Sequence, residues 1–185
     1  FSDKLYNDAM LDFSAAIKLN PNYAEAHYMQ GRVKYELKLD YDALSDYTMA
    51  IQLKPDLADA HYWRATAHYA LRMDKEALYD YSEFIKLSPR NPDGYYWRGN
   101  AKYSLHAFNE AIPDFTKAIE LKPDHAEALY YRANAYYSMK NYTEAMADFN
   151  RVTVVKPVYP QAYYYLGQCS YALLKDEDAI NYHTK

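Results

Sequence analysis

Apolar and polar positions along this chain follow a helical spacing nested inside a longer period. Pro21, Pro55, Pro89, Pro123 and Pro157 stand 34 residues apart. Counting Ala24 as slot 1 of a 34-slot unit puts these prolines at slot 32. Slot 20 is then alanine in six copies (Ala9, Ala43, Ala77, Ala111, Ala145, Ala179), and slot 24 is aromatic in five (Phe13, Tyr47, Tyr81, Phe115, Phe149). Slot 5 is always tyrosine (Tyr28, Tyr62, Tyr96, Tyr130, Tyr164), and so is slot 12 (Tyr35, Tyr69, Tyr103, Tyr137, Tyr171). Slot 8 alternates Gly31, Ala65, Gly99, Ala133, Gly167. A period of this length marks an architecture in which each unit buries its apolar face only against its neighbours.

Each slot has a mechanical meaning. Small residues at slots 8 and 20 let two helices approach closely, and the slot 24 ring fills the space beside them. Proline at slot 32 cannot continue a helix and ends the second of the pair. Asn22, Asp56 and Asp124 are then expected as N-caps of the following helix, and Pro92 and Pro160 suit a first turn. Each unit reads as helix A over slots 1–14, a tight turn, and helix B over slots 18–31. Pro113 falls early in a B helix and is expected to cost one backbone hydrogen bond.

The small, aromatic and proline slots together resemble the tetratricopeptide repeat family, over the whole chain. The resemblance implies an all-α fold, an α-solenoid winding as a right-handed superhelix of antiparallel helix pairs. Residues 1–23 read as a B helix without its A helix, followed by repeats at 24–57, 58–91, 92–125 and 126–159 and a fifth, shortened in helix B, at 160–185. The start at Phe1 and the finish inside a helical pattern read as an excerpt of a longer protein. Some slots depart from the family. Slot 4, usually tryptophan, is His27, His61, Tyr95, Leu129 and Tyr163; the glycine of the inter-helix turn is Lys38, Arg72, His106, Lys140 and Leu174; and slot 27 holds Phe84 and Val152 instead of alanine.

Helical residues advance by about 100° each. Slots 2, 5, 9, 12 and 13 therefore share one face of helix A, while slots 4, 8 and 11 turn toward helix B. The first face is, by the resemblance, the inner groove that holds ligands in the family. It carries Glu25, Asp59, Asp93, Glu127 and Gln161 at slot 2, the ten tyrosines, and Arg32, Thr66, Asn100, Asn134 and Gln168 at slot 9. Five acids, Glu36 among them, against one arginine give it a charge of −4, equal to that of the whole chain. Tyr62, Tyr96 and Tyr130 are expected to form a row across adjacent A helices, at interaxial distances of about 8–10 Å. Tyrosine at these slots also has an ordinary packing explanation, and acids near helix N-termini are favoured by the dipole. A second pattern is architectural: Arg64, Arg98 and Arg132 at slot 7 are expected to pair with Asp46, Asp80 and Asp114 of the preceding helix B, as an inter-repeat ladder.

Other chemistries find little support. Cys169 is the only cysteine, which excludes an internal disulfide. His27 and His61 fall on the packing side of helix A as core fillers, too sparse for a metal site. Four glycines leave no phosphate loop, and no metal, cofactor or catalytic residue is expected. Asn141-Tyr142-Thr143 matches a glycosylation sequon in a turn, a pattern frequent by chance. A pI near 5.9 without any basic cluster argues against nucleic acid and acidic membranes, and no apolar run is long enough to span a bilayer. The cytoplasm is the expected compartment.

The family's clamp for acidic chaperone C-termini needs basic residues at slots 2 and 5, where this chain has acids and tyrosine. Its asparagine ladder would occupy slot 6, which is Met29, Trp63, Trp97, Tyr131 and Tyr165. The reading is a non-enzymatic adaptor that binds a protein segment with basic and aliphatic or aromatic residues in a tyrosine-rich acidic groove. The alternative is a scaffold that stacks through its ends.

Overall fold

A computed structural model describes the backbone of residues 2–183 and the side chains of residues 5–174. Ten helices and no strands are found among the described residues, in two compact units, Phe1–Arg90 and Asn91–Lys185. The first holds α1 (Ser2–Leu19), α2 (Ala24–Glu36), α3 (Asp40–Leu53), α4 (Ala58–Ala70) and α5 (Asp74–Leu87). The second holds α6 (Pro92–Ser104), α7 (Phe108–Leu121), α8 (Ala126–Ser138), α9 (Tyr142–Val155) and α10 (Pro160–His183). Both are stretches of all-α repeat solenoid, in which each helix packs chiefly on its sequence neighbours.

The core follows the repeat. Ala43, Ala77, Ala111 and Ala145 at slot 20, and Tyr47, Tyr81, Phe115 and Phe149 at slot 24, are all at 0% exposure. A Cβ added at Gly31 would sit 2.8 Å from the Tyr47 ring, and one at Gly99 would sit 2.7 Å from Phe115. Slot 8 is small because the slot 24 ring lies directly against helix A. The departures at slot 27 are absorbed: Phe84 and Val152 are buried, with Phe84 5.0 Å from Tyr62. The slot 4 histidines both bond a prolyl carbonyl, His27 Nε2 to Pro21 at 2.9 Å and His61 Nε2 to Pro55 at 3.0 Å.

The turns within pairs form without glycine. Lys38, Arg72, His106 and Lys140 adopt φ of 63°, 61°, 59° and 63°. Each closes a Schellman cap, as in Leu39 N–H to Lys34 C=O at 2.9 Å and Lys38 N–H to Tyr35 C=O at 3.0 Å. A left-handed non-glycine residue costs about 1–2 kcal/mol, offset here by the helix B that packs back. In the fifth repeat the expected break is absent. Leu174 stays helical, and α10 runs on to His183.

The expected N-caps also shift by one residue. Tyr23, Leu57 and His125 cap α2, α4 and α8. Asn22, Asp56 and Asp124 instead follow proline at the centre of a β-turn, closed by Tyr23 N–H to Asn20 C=O and its equivalents at Leu57 and His125. Pro92 takes the first turn of α6 as expected, and Asn91 before it is the N-cap, its side chain accepting from Asp93 N–H at 2.9 Å.

The ion pairs form one register later than expected, inside each repeat. Arg64 closes a two-pronged bond on Asp80 (2.8 and 2.6 Å), Arg98 on Asp114 (3.0 and 2.6 Å) and Arg132 on Asp148 (2.7 and 2.7 Å). The anticipated Asp46–Arg64 and Asp114–Arg132 pairs are therefore replaced. Asp46 binds Lys34 at 2.7 Å, and Asp114 is shared by Arg98 and Lys102. The slot 23 side chain points at the A helix of its own repeat and not at the next one. A link between repeats survives through the third guanidinium nitrogen: Arg64 donates to Thr48 at 3.2 Å and Arg132 to Thr116 at 2.9 Å.

Candidate interaction face

The face built from slots 2, 5, 9, 12 and 13 is more enclosed than its sequence suggests. In every complete pair the slot 5 tyrosine leans on the slot 24 ring, at 6.3 Å (Tyr28–Tyr47), 6.0 Å (Tyr62–Tyr81), 6.4 Å (Tyr96–Phe115) and 5.8 Å (Tyr130–Phe149). From the far side the slot 6 ring of the next A helix closes in. Trp63 meets Tyr35 at 5.7 Å, and Tyr131 meets Tyr96 at 6.1 Å and Tyr103 at 5.8 Å. Tyr165 meets Tyr130 at 6.3 Å and Tyr137 at 5.2 Å. In the second unit, slot 6 rings stand between successive A helices where a bare tyrosine row was expected. The sequence signal for this wedge role is the aromatic residue at slot 6 in four copies of five.

Slot 34 completes the enclosure. His125 lies 4.8 Å from Tyr96, and Tyr159 lies 5.0 Å from Tyr130. Tyr96 is accordingly buried, a core residue rather than an open contact. Asn100 and Asn134 are buried too, each donating its amide to the carbonyl four residues back, Tyr96 and Tyr130. Tyr28, Tyr35, Tyr62, Tyr69, Tyr103, Tyr130 and Tyr137 remain half-buried. Tyr164 and Tyr171 on α10 are 63% and 58% exposed. Burial pushes the phenols of Tyr35, Tyr103, Tyr130 and Tyr137 upward, so they stay protonated donors at neutral pH.

The rim is less acidic than slots 2 to 13 alone imply. Lys54 reaches Glu25 at 2.8 Å and Lys156 reaches Glu127 at 3.4 Å, both from slot 31 of helix B. Lys54 holds the Glu25 carboxyl below its usual range. Burial would raise Glu127, but its own backbone amide and Lys156 together bring it below. Adding these two lysines halves the charge excess attributed to the face. The second repeat has Ser88 at slot 31, so Asp59 lacks that lysine, and Asp93 lies 3.8 Å from His125. Arg32, the single cation counted on the face, stacks 3.5 Å above Trp63.

Models of the tetratricopeptide repeat match residues 59–91 and 96–154. The chain is a tetratricopeptide repeat protein. Among solved structures it is similar to YrrB, "a TPR protein with an unusual peptide-binding site", at 24% identity, with a TM-score of 0.78 over 88% of this chain and 84% of that one. MamA superposes with a TM-score of 0.80 at 22% identity, over 82% and 89% of the two chains. The first repeat domain of Spaghetti (RPAP3), bound to the HSP90 peptide SRMEEVD, has a TM-score of 0.62 at 25% identity, over 63% and 93%. No curated protein matches the chain.

As a tetratricopeptide repeat protein, the chain carries its distinctive groups in packing positions. Among the described residues, no set of three or more His, Cys, Asp or Glu side chains is placed to hold a metal ion. Cys169 is fully buried in α10, and burial pushes its thiol upward, away from the reactive thiolate. No helix among the described residues is long and apolar enough to cross a membrane.

Proposed function

We propose that the chain binds a segment of a partner protein on its A-helix face, the common use of the tetratricopeptide fold. The observation carrying this reading is the part-open aromatic surface of the second unit. There the half-buried Tyr103, Tyr130 and Tyr137, with neutral hydroxyls, share the face with the exposed Asp93 and the half-buried Glu127. Such rings combine apolar area with a hydrogen-bonding tip at low entropic cost, which interfaces favour. The rim repels acidic ligands and suits lysine or arginine, whose heads can stack on tyrosine for about 0.5–2 kcal/mol. YrrB and the RPAP3 repeat domain are described as binding peptides, which supports a peptide segment as the ligand. The partner is therefore a segment with basic residues flanking aliphatic or aromatic anchors.

The test is a peptide-library screen against the whole chain, followed by titration at two ionic strengths. Basic–apolar peptides should bind best and weaken with salt, because the rim charges are exposed. Tyr137→Ala with Asp93→Lys should weaken them about ten-fold or more. Preference for acidic peptides, or unchanged binding by the double variant, would remove this face as the site. A second reading, a scaffold that associates through its ends, is favoured by Tyr163, Tyr164, Tyr171 and Leu174, which are 53–63% exposed on α10.

A further inference from the structure

Slot 34 is Tyr23, Leu57, Asn91, His125 and Tyr159 in successive copies, so His125 is the one imidazole of that row. It caps α8, with Nδ1 accepting from Ala128 N–H at 3.3 Å. A ring nitrogen that accepts carries no proton, so in the neutral ring the proton sits on Nε2. That N–H is buried and has no hydrogen-bond partner. Asp93 Oδ1 lies 3.8 Å from it, and Glu127 Oε2 lies 3.6 Å from Nδ1. The His125 side chain is 8% exposed and packs on the Tyr96 ring at 4.8 Å. A buried donor held just beyond bonding distance of a carboxylate is costly to leave unpaired.

The charges around the ring are mixed. Asp93 and Tyr96 come from α6, Glu127 from α8, and Lys122 and Asp124 from the turn between α7 and α8. Lys156, at the C-cap of α9, reaches Glu127 Oε1 at 3.4 Å and leaves Oε2 toward the imidazole. Burial outweighs the two carboxylates and holds the ring's proton affinity below its ordinary level, so His125 is neutral at pH 7. Adding a proton reverses the local bonding. Nδ1 then carries an N–H, cannot accept from Ala128, and faces Glu127 Oε2, while Nε2–H gains a charged attraction to Asp93.

We propose that His125 is a proton-operated gate on the two carboxylates, Asp93 and Glu127, that receive the partner's basic side chains. This rests on the peptide-binding reading of the A-helix face and names the regulation of that site. With His125 neutral, both carboxylates turn their charge toward an incoming lysine or arginine head. With His125 protonated, the imidazolium draws them inward and repels that head. The proton and the partner's cation therefore compete, and each weakens the other's binding by the same factor. The gate is local: Leu57 stands between Glu25 and Asp59 in the repeat order and has no proton to take.

Calorimetric titration of the whole chain with a capped lysine–leucine peptide at pH 7.5 and 5.0 tests this. Wild-type affinity should fall roughly five-fold in acid. His125→Asn keeps a side-chain cap for α8 and gains no proton, so its affinity should change by less than about two-fold. The other histidines are common to both proteins. By reciprocity, bound peptide should move the His125 ring titration, followed by NMR, to lower pH. Asp93→Asn leaves His125 in place and should both weaken binding at pH 7.5 and shrink the fall. Equal acid losses in wild type and His125→Asn, or a His125 titration that bound peptide leaves unmoved, would overturn the gate and leave the face standing. Failure of the peptide to bind wild type at pH 7.5 would instead remove the face, and the gate with it.

Discussion

Gly99 and Gly167 occupy the same slot of two different repeats and, among the described residues, live in opposite surroundings. Phe115 lies so close to Gly99 that a methyl group there would meet its ring at 2.7 Å, whereas Gly167 faces open space. The contrast extends to their neighbours. Tyr96 is buried between Phe115, His125 and Tyr131, while Tyr164 is 63% exposed. An identical residue is thus core or surface according to which neighbouring helices pack against it. In a solenoid, burial belongs to the junction rather than to the repeat.

The largest effect should come from an interior junction's charge pair, which α10 lacks because Leu166 stands at slot 7. Asp80→Ala strands Arg64 in a buried site and should cost about 3–5 kcal/mol in denaturant unfolding. The same carboxylate sets an acid response. Burial alone would raise Asp80, but His61, His68 and Arg64 around it outweigh burial and hold it well below the usual range. A folded value below the unfolded one means stability that is complete above about pH 4 and lost as pH falls through the folded value. Wild type and Asp80→Ala should therefore converge in acid; parallel curves down to the lowest pH would contradict this. At Asp46 the balance reverses, since burial raises it despite Lys34.

A middle-sized effect separates interior from end at slot 5. Tyr130 rests on Phe149, Tyr159 and Tyr165, so Tyr130→Ala should cost about 2–4 kcal/mol. Tyr164→Ala should stay within about 0.5 kcal/mol in dilute solution. Comparable losses for the two in chemical unfolding would erase the distinction drawn between junction and end.

The smallest effect carries a change of sign. Gly167→Ala should stabilise the chain by about 0.5–1 kcal/mol, because a mid-helix glycine is replaced without any clash. Gly99→Ala gains the same propensity but forces the Phe115 ring to move, for a net loss of about 1 kcal/mol. Differential thermal melts of the two single variants decide it, and shifts of the same sign would mean that the Phe115 contact relaxes freely.

Much of the fold was legible because the repeat period places small and bulky residues where helix packing needs them. Slots 8, 20 and 24 mark every A–B contact, and slot 32 marks every boundary between pairs. The N-caps were misplaced because a proline–Asx dipeptide serves a β-turn as readily as it precedes a helix. The missing turn in α10 was not legible either, since lysine, arginine and histidine take the left-handed conformation elsewhere as well as the consensus glycine would.

The candidate face was legible in its residues and much less in its environment. Ten tyrosines on one side of the A helices is a statement about 100° steps, which the amino-acid order determines by itself. Which of them meet solvent depends on slot 6 and slot 34 residues arriving from another helix, and on slot 31 lysines reaching over from helix B. The direction of the slot 23 aspartates is of the same kind. Sequence spacing allowed Asp80 to face either flanking A helix, and only the packed pair shows it turned toward Arg64, where two hydrogen bonds and burial reinforce each other. Periodicity along one helix is a local property that the sequence determines; partners across helices are chosen by three-dimensional packing, which no single helix encodes.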